Sequence, residues 1–148
     1  IWGSGENPTF SRCLFNSVPG IASGNFYGTI SSCVIQDCIM PFEITTALGS
    51  TTTFSYCLFE NVNRPIKATS GSAGSIIIDN CIITDSFWAS VFLGGESIIQ
   101  NSEMNLNSGT LFFENATFTI VNCDFTANNY IEVSALMAVA GASGNVAG

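Results

Sequence analysis

The chain repeats a six-residue pattern six times at nearly constant spacing, and this repeat restricts its fold more than any other feature. The pattern begins with Phe or Ile, has Cys or Ser at its fourth place, and ends with Phe, Ile or Met. We call it the frame, and its copies are 10–15, 30–35, 54–59, 78–83, 99–104 and 120–125. Successive copies start 20, 24, 24, 21 and 21 residues apart. A short repeat of this kind is typical of solenoids, in which each unit packs on its neighbours.

Each repeat also holds two further runs of strand-forming residues, separated by Gly, Ser and Asn. One run directly precedes the frame, as in Ser75-Ile-Ile-Ile78, and another lies earlier, as in Leu111-Phe-Phe113. The sequence shows no 3.6-residue apolar period with helix caps. A repeat of 20–24 residues is too short for a βαβ unit, which takes roughly 30 residues. Each repeat instead has room for three short strands. They predict one turn, or coil, of a parallel β-helix.

We therefore expect an all-β fold, a right-handed parallel β-helix with three short strands in each coil. Crossovers between parallel strands are nearly always right-handed, which sets the expected hand. The frames predict about six to seven coils of roughly 20–24 residues each. Residues 1–148 form a single solenoid segment in this interpretation, with frames starting near 10, 30, 54, 78, 99 and 120. Residues 134–148 would form a last strand, a cap or a truncated continuation.

The alternation of side chains along a strand assigns each frame position to a face. The first and sixth positions are apolar in every copy and are expected to point inward, as is the fourth. At the third position, Asn80, Asn101 and Asn122 indicate a tight bend with asparagine side chains stacked along the axis. The fourth position gives the predicted core cysteine ladder: Cys13, Cys33, Cys57, Cys81 and Cys123, with Ser102 in the fifth copy.

The sequence leaves three states of this cysteine ladder open. Reduced thiols, buried as small apolar groups, are favoured. Bridges between adjacent coils are an alternative, although side chains stacked in register lie further apart than the roughly 3.8 Å between the Cβ atoms of a disulfide. A zinc site is the third, and it is disfavoured because the chain has no Cys-x-x-Cys pair.

The scarcity of charge excludes several classes of function. Charged residues make up 9% of the chain, with eleven acids, three bases, no histidine and a net charge of −8. Three bases cannot neutralise a run of phosphates, so we expect no nucleic-acid partner. No apolar run approaches the roughly 20 residues of a membrane span, so we expect no membrane insertion. Without histidine, Ser-His-Asp and Cys-His catalysis are excluded, and no cofactor is expected.

Frames such as Ile120-Val-Asn-Cys-Asp-Phe125 resemble those of the right-handed parallel β-helix superfold of pectate lyases, phage tailspikes and bacterial surface adhesins. The resemblance covers about residues 8–133 and implies the fold without a specific family. Pectate-lyase-like chemistry would imply clustered acids that hold calcium and an arginine or lysine base. Polygalacturonase-like chemistry would imply several aspartates with histidine.

The chain departs from both of these catalytic patterns. Arg64-Pro-Ile-Lys67 has no matching aspartate cluster, so we expect no catalytic residue and predict that the chain is not an enzyme. Lys67 instead aligns one coil above Glu43, where opposite charges would stack in adjacent strands.

Two isolated features concern ions and glycans. Glu103 and Asp124 share an outward column in adjacent coils and form a candidate calcium pair. Because calcium takes six to eight oxygen ligands, two solvated carboxylates are the favoured alternative. Asn115, in Asn115-Ala-Thr117, is the candidate glycosylation site, since Pro8 blocks the sequon at Asn7.

The same outward column carries large aliphatic residues in the first four coils. A contiguous apolar stripe on the outside of a solenoid predicts a surface that contacts a partner, although a neighbouring loop folded over the stripe is an alternative. The candidate interface residues are Leu14, Val34, Leu58 and Ile82.

These features predict a structural or interaction protein, a building block of an extracellular filament, fibre or adhesin-like surface assembly. The expected location is extracellular or on a cell or virion surface. Expected partners are further copies of the chain or neighbouring domains of the same longer protein, and possible ligands are glycans. The alternative is a glycan-binding or glycan-processing β-helix of the lyase or hydrolase type, with its active site outside this segment.

Overall fold

Each of the first five frames contains the end of one parallel-sheet strand and the start of the next, joined by two residues. The computed structural model describes residues 7–87, 90–109, 111–126, 136–138 and 142–147. These ranges hold no helix long and apolar enough to cross a membrane. Their strands are β1 (Thr9–Ser11), β2 (Leu14–Asn16), β3 (Ala22–Asn25), β4 (Thr29–Ser31), β5 (Val34–Gln36), β6 (Phe42–Thr45), β7 (Thr51–Ser55), β8 (Leu58–Glu60), β9 (Ile66–Asp79), β10 (Ile82–Thr84), β11 (Ser90–Gln100), β12 (Glu103–Asn105), β13 (Leu111–Phe113), β14 (Ala116–Val121), β15 (Leu136–Ala138) and β16 (Ser143–Ala147).

The strands stack in parallel along three faces, as the repeat predicts. The strand at the start of each frame pairs with its equivalent in the next coil, in the order β1, β4, β7, β9, β11, β14 and β16. The strand that ends the frame forms a second sheet in the order β2, β5, β8, β10 and β12. The third face holds β3, β6, the first part of β9, the first part of β11, β13 and β15. Strands β9 and β11 run through the connection between the third and first faces.

The described residues form five complete turns, slightly fewer than the predicted six to seven. The difference arises in the sixth frame, whose second half makes only an isolated bridge between Asp124 and Glu103 instead of a strand. Of the segment predicted as a last strand, cap or continuation, β15 and β16 lie within the described residues and pair in parallel with β13 and β14.

Two corners with left-handed backbone conformation turn the chain in each of these coils. The first corner is the third frame position, with φ between 50° and 55° at Arg12, Ser32, Tyr56, Asn80, Asn101 and Asn122. The predicted bend is therefore confirmed. Stacking of the asparagines is seen where the Asn122 Nδ2 donates to the Asn101 Oδ1 at 3.3 Å. Asn101 Nδ2 in turn donates to the Asp79 carboxylate at 2.9 Å, and this bond lowers the pKa of Asp79.

The second corner was not anticipated from the sequence. It follows the first by five residues in each of the first five coils, at Ser17, Asp37, Asn61, Asp85 and Leu106, with φ from 51° to 58°. The left-handed region is unfavourable for most L-residues, and Asn and Asp tolerate it best. Three of the five residues at this corner have those side chains, which accounts for the bend in the middle coils.

The core is a stack of Phe and Ile side chains along the axis of the solenoid. The first and sixth frame positions point inward as predicted, and Ile30, Phe54, Ile78 and Ile99 are fully buried. Aromatic rings from different faces meet inside, as in the edge-to-face contact of Phe42 with Phe54 at 4.9 Å between ring centroids. Such contacts add about 0.5–1.5 kcal/mol beyond burial of the rings.

Candidate interaction surfaces

The outer face of the second sheet carries the four aliphatic residues of the candidate interface, which we call the apolar column. Leu14, Val34, Leu58 and Ile82 are the first residues of their strands and Cα partners from one coil to the next. Their neighbours Phe15, Ile35, Phe59 and Ile83 point into the core, so alternation directs the column outward. Leu14 is 64% exposed and Ile82 41%, while Val34 and Leu58 are half-buried.

The apolar column ends in two acidic residues. Glu103 pairs in register with Ile82, and Asp124 follows in the next coil, so both carboxylates lie on the line of the column. Both side chains are exposed, and Asn105 Nδ2 donates to Glu103 Oε2 at 3.3 Å. Over the described part of the chain, no group of three acidic, histidine or cysteine side chains is close enough to hold a metal. The two carboxylates alone would give only two of the six to eight oxygen ligands that calcium takes, and the calcium pair stays a prediction.

The opposite end of the apolar column carries a positive charge. Arg12 occupies the first corner two residues before Leu14 and is exposed. Among the described residues the ion pair joins Lys67 to Glu43 in the adjacent strand, as predicted, and Arg12 takes no part in it. The line from Arg12 to Asp124 is thus basic at one end, aliphatic along its middle and acidic at the other.

The cysteine ladder lies inside the first corner, where its side chains bond to main-chain groups of the same coil and of the adjacent coil. The Cys33 Sγ donates to the Ser31 carbonyl at 3.3 Å and accepts from the Cys13 N–H at 3.5 Å. Ser102 makes the same pair of bonds, to the Gln100 carbonyl at 2.7 Å and from the Cys81 N–H at 3.1 Å. A small side chain that both donates and accepts is therefore required at this position, which explains why serine replaces cysteine there.

All six cysteines are free thiols. Burial raises the pKa of the Cys33, Cys38 and Cys123 thiols above the ordinary value of 9.0. A hydrogen bond with Cys57, together with burial, raises the pKa of Cys81. Because thiolates are the reactive form, the thiols with raised pKa values, Cys33, Cys38, Cys81 and Cys123, are poor nucleophiles at neutral pH.

A groove of about 570 Å³ runs along the second corner and was missed by the sequence reasoning. Its floor includes the corner residues Asp37, Asn61 and Asp85, and Asn61 Nδ2 donates to the Asp37 carboxylate at 2.7 Å. Phe87, 52% exposed, and Leu106, 55% exposed, add apolar surface. The recurrence of Asp, Asn and Asp at 24-residue intervals is the signal that could have revealed this polar line.

The sequon residue Asn115 lies in the short turn between β13 and β14. Its side chain is exposed, and its φ of 49° places the backbone in the left-handed region. Thr117, the third residue of the sequon, is exposed at the start of the following strand. The asparagine is therefore accessible for modification, although its glycosylation remains a prediction.

Residues 1–147 match the family model described as a right handed beta helix region. No curated protein and no solved structure matches the chain. The match agrees with the parallel stacking of three strands in each coil and with the hand expected from the general preference of parallel crossovers.

Proposed function

The chain belongs to the right-handed beta helix family, and we propose that it is an interaction scaffold, a building block of a filament, fibre or adhesin-like assembly. The observation that carries the proposal is the apolar column. Four aliphatic residues lie in register on the outside of a sheet, where a solvent-facing strand would ordinarily carry polar side chains. A contiguous apolar line of this kind is typical of surfaces that are covered by a partner.

The geometry makes such contact favourable. The solenoid holds the column rigid, since each of its residues lies in a strand paired on both sides except at Leu14. Little conformational entropy is therefore lost on binding. Covering the exposed part of each aliphatic side chain contributes about 1 kcal/mol.

The proposal is tested by placing a charge in the middle of the column. Leu58→Asp and Ile82→Asp should abolish assembly, because a buried carboxylate without a partner opposes association. The measurement is sedimentation velocity over a range of concentrations, with circular dichroism to show that the fold persists. Thr53→Asp is the matched control, since Thr53 is half-buried and points outward from the first sheet. Assembly that survives both column variants would overturn the proposal.

We place this assembly outside the cell or on a cell or virion surface, with copies of the chain or neighbouring domains as partners. The support is compositional. The outer columns of the first sheet carry mainly Thr, Ser and Ile, as at Thr29, Thr53 and Ile77, and the chain has few charges. Fractionation of the source cells, followed by detection with an antibody to the chain, would test this placement. Detection of the chain only in the intracellular fraction would contradict it.

The groove at the second corner supports a second candidate function, the binding of glycans. Amide and carboxylate groups at Asp37, Asn61 and Asp85 could bond to sugar hydroxyls, while Phe87 offers an aromatic face. Titration calorimetry with neutral oligosaccharides would show saturable binding, and Asn61→Ala would weaken it. Equal binding by this variant, or no binding by the parent chain, would remove the candidate.

A further inference from the structure

We propose that the apolar column binds a second copy of this chain in an antiparallel arrangement, with the basic end of each column against the acidic end of the other. This inference rests on the proposed scaffold function and specifies its partner. A face that binds its own copy through a two-fold axis must be self-complementary. The column meets that condition only when the two solenoid axes run in opposite directions.

The charges at the two ends select the direction. In a parallel arrangement, Arg12 would face Arg12 of the second copy, and Glu103 and Asp124 would face the same two carboxylates. Like charges placed opposite one another across an interface disfavour binding. In the antiparallel arrangement, Arg12 instead approaches Glu103 of the second copy, and this happens twice by symmetry. Arg12 is free to do so because it forms no ion pair among the described residues of its own chain.

The aliphatic residues fix the register of the two copies. A two-fold axis that runs along the strand direction between the second and third coils brings all four of them into contact. Leu14 then meets Ile82 of the second copy, and Val34 meets Leu58 of the second copy. Glu103 lies one coil beyond Ile82, about 4.8 Å further along the axis, which is within reach of an arginine side chain.

The polar side of the sheet supports the same register. Gln36 and Glu60 are the last residues of β5 and β8, two positions after Val34 and Leu58. With the axis between these coils, Gln36 meets Glu60 of the second copy, so an amide faces a carboxylate. Moving the axis onto the third coil would place Glu60 against Glu60 instead, and two carboxylates would repel.

The size of the face predicts a dimer that depends on concentration. Five strands of three residues cover about 10 Å by 24 Å. This is well below the roughly 800 Å² that each partner of a standard stable interface buries. We therefore expect monomer and dimer to interconvert in the range of protein concentrations used for sedimentation.

Charge reversal with rescue tests the arrangement. Arg12→Glu or Glu103→Arg alone should raise the dissociation constant about tenfold, since each change places like charges together at two symmetric sites. The double variant R12E/E103R should restore it to within about threefold of the parent value. Arg12→Lys is the matched control, because it keeps the charge, and it should stay close to the parent chain. Both positions are exposed, so the fold should be unaffected.

The outcomes separate this inference from the scaffold function on which it rests. Tighter or unchanged dimers of R12E, with L58D still dissociating them, would overturn the antiparallel arrangement and leave the column as an interface. Larger assemblies that L58D disrupts but R12E does not would do the same. A parent chain that remains monomeric at every concentration would overturn both proposals.

Discussion

Single residues in the left-handed backbone region give the coils their shape. At the first corner, asparagine fills the position in the last three frames, where its short amide tolerates positive φ and bonds along the axis. Other side chains do not tolerate positive φ in this way, as at Arg12 and Tyr56 of the first corner and at Leu106 of the second. There the main-chain hydrogen bonds to the next coil hold each residue in the left-handed conformation. The corners therefore carry local strain that the stacked strands offset.

Leu106 is the residue at which this strain should be easiest to relieve. Leu106→Asn should stabilise the chain by about 1 kcal/mol, because asparagine tolerates the φ of 58° that leucine adopts there. Leu106 is 55% exposed, so little packing is lost. Urea unfolding followed by circular dichroism is the measurement. The reciprocal change Asn101→Leu should destabilise by at least as much, since it also removes the bond to Asp79. If L106N is no more stable than the parent chain, the backbone at Leu106 does not carry the strain that we infer.

The strands β9 and β11 bring the third face close to the first, and glycine makes this close approach possible. A Cβ atom at Gly74 would lie 2.3 Å from the Ala47 carbonyl oxygen and 2.4 Å from that of Ser50. Those oxygens belong to the backbone of the preceding coil, where the Ser50 oxygen accepts from the Ser75 N–H at 2.9 Å. The preceding coil therefore cannot move aside without losing hydrogen bonds.

We expect Gly74→Ala to destabilise the solenoid by about 3 kcal/mol, because the added methyl group overlaps main-chain atoms on two sides. Gly49→Ala is the control. Its φ of 77° also disfavours alanine, but a Cβ there meets nothing within 4 Å, so the cost should be about 1 kcal/mol. Thermal unfolding of both variants measures the difference. Equal losses would show that backbone strain, and not close approach, explains the effect.

The sequence predicted those elements whose residue type is constrained in every coil. Inward apolar positions and the corner thiols recur because packing and hydrogen bonding admit few alternatives, and the Lys67–Glu43 pair followed from the resulting register. The second corner was missed because it constrains the backbone alone, so residues as different as Ser17, Asp85 and Leu106 occupy it. The groove lies along that corner and was missed for the same reason. The spacing of the frames did not reveal that β9 and β11 each run without a break from the third face to the first.

For the molecule as a whole, the thiols couple stability to pH. The cysteine ladder passes through the interior of the coils, and burial raises the pKa of Cys33, Cys38 and Cys123 in the folded chain. Above pH 9 the unfolded chain loses these protons while the folded chain keeps them. The contribution of these buried thiols to the free energy of unfolding is fully present below the thiol pKa of 9.0 in the unfolded chain. It is lost as pH rises through the higher thiol pKa values of the folded chain.

We therefore expect the urea midpoint to fall as pH is raised from about 8 to 10. The double variant C33S/C38S should show a smaller fall, since serine does not titrate there and already occupies the places equivalent to Cys33 and Cys38 in other coils, at Ser102 and Ser86. The two proteins are compared by the slope of the urea midpoint against pH, so a difference in their stability at neutral pH does not affect the result. Equal slopes for the two proteins would show that groups other than these two thiols cause the decrease.

The constant five-residue distance between the two corners has a practical consequence. Because it does not vary among the first five coils, all the difference in repeat length falls in the arc from the second corner to the next frame. That arc is the natural place to lengthen the chain, and its turn at Leu48, 87% exposed, and Gly49 projects from the body of the solenoid. A foreign peptide grafted there would be displayed once per molecule, and an antiparallel pair would present two such epitopes a fixed distance apart.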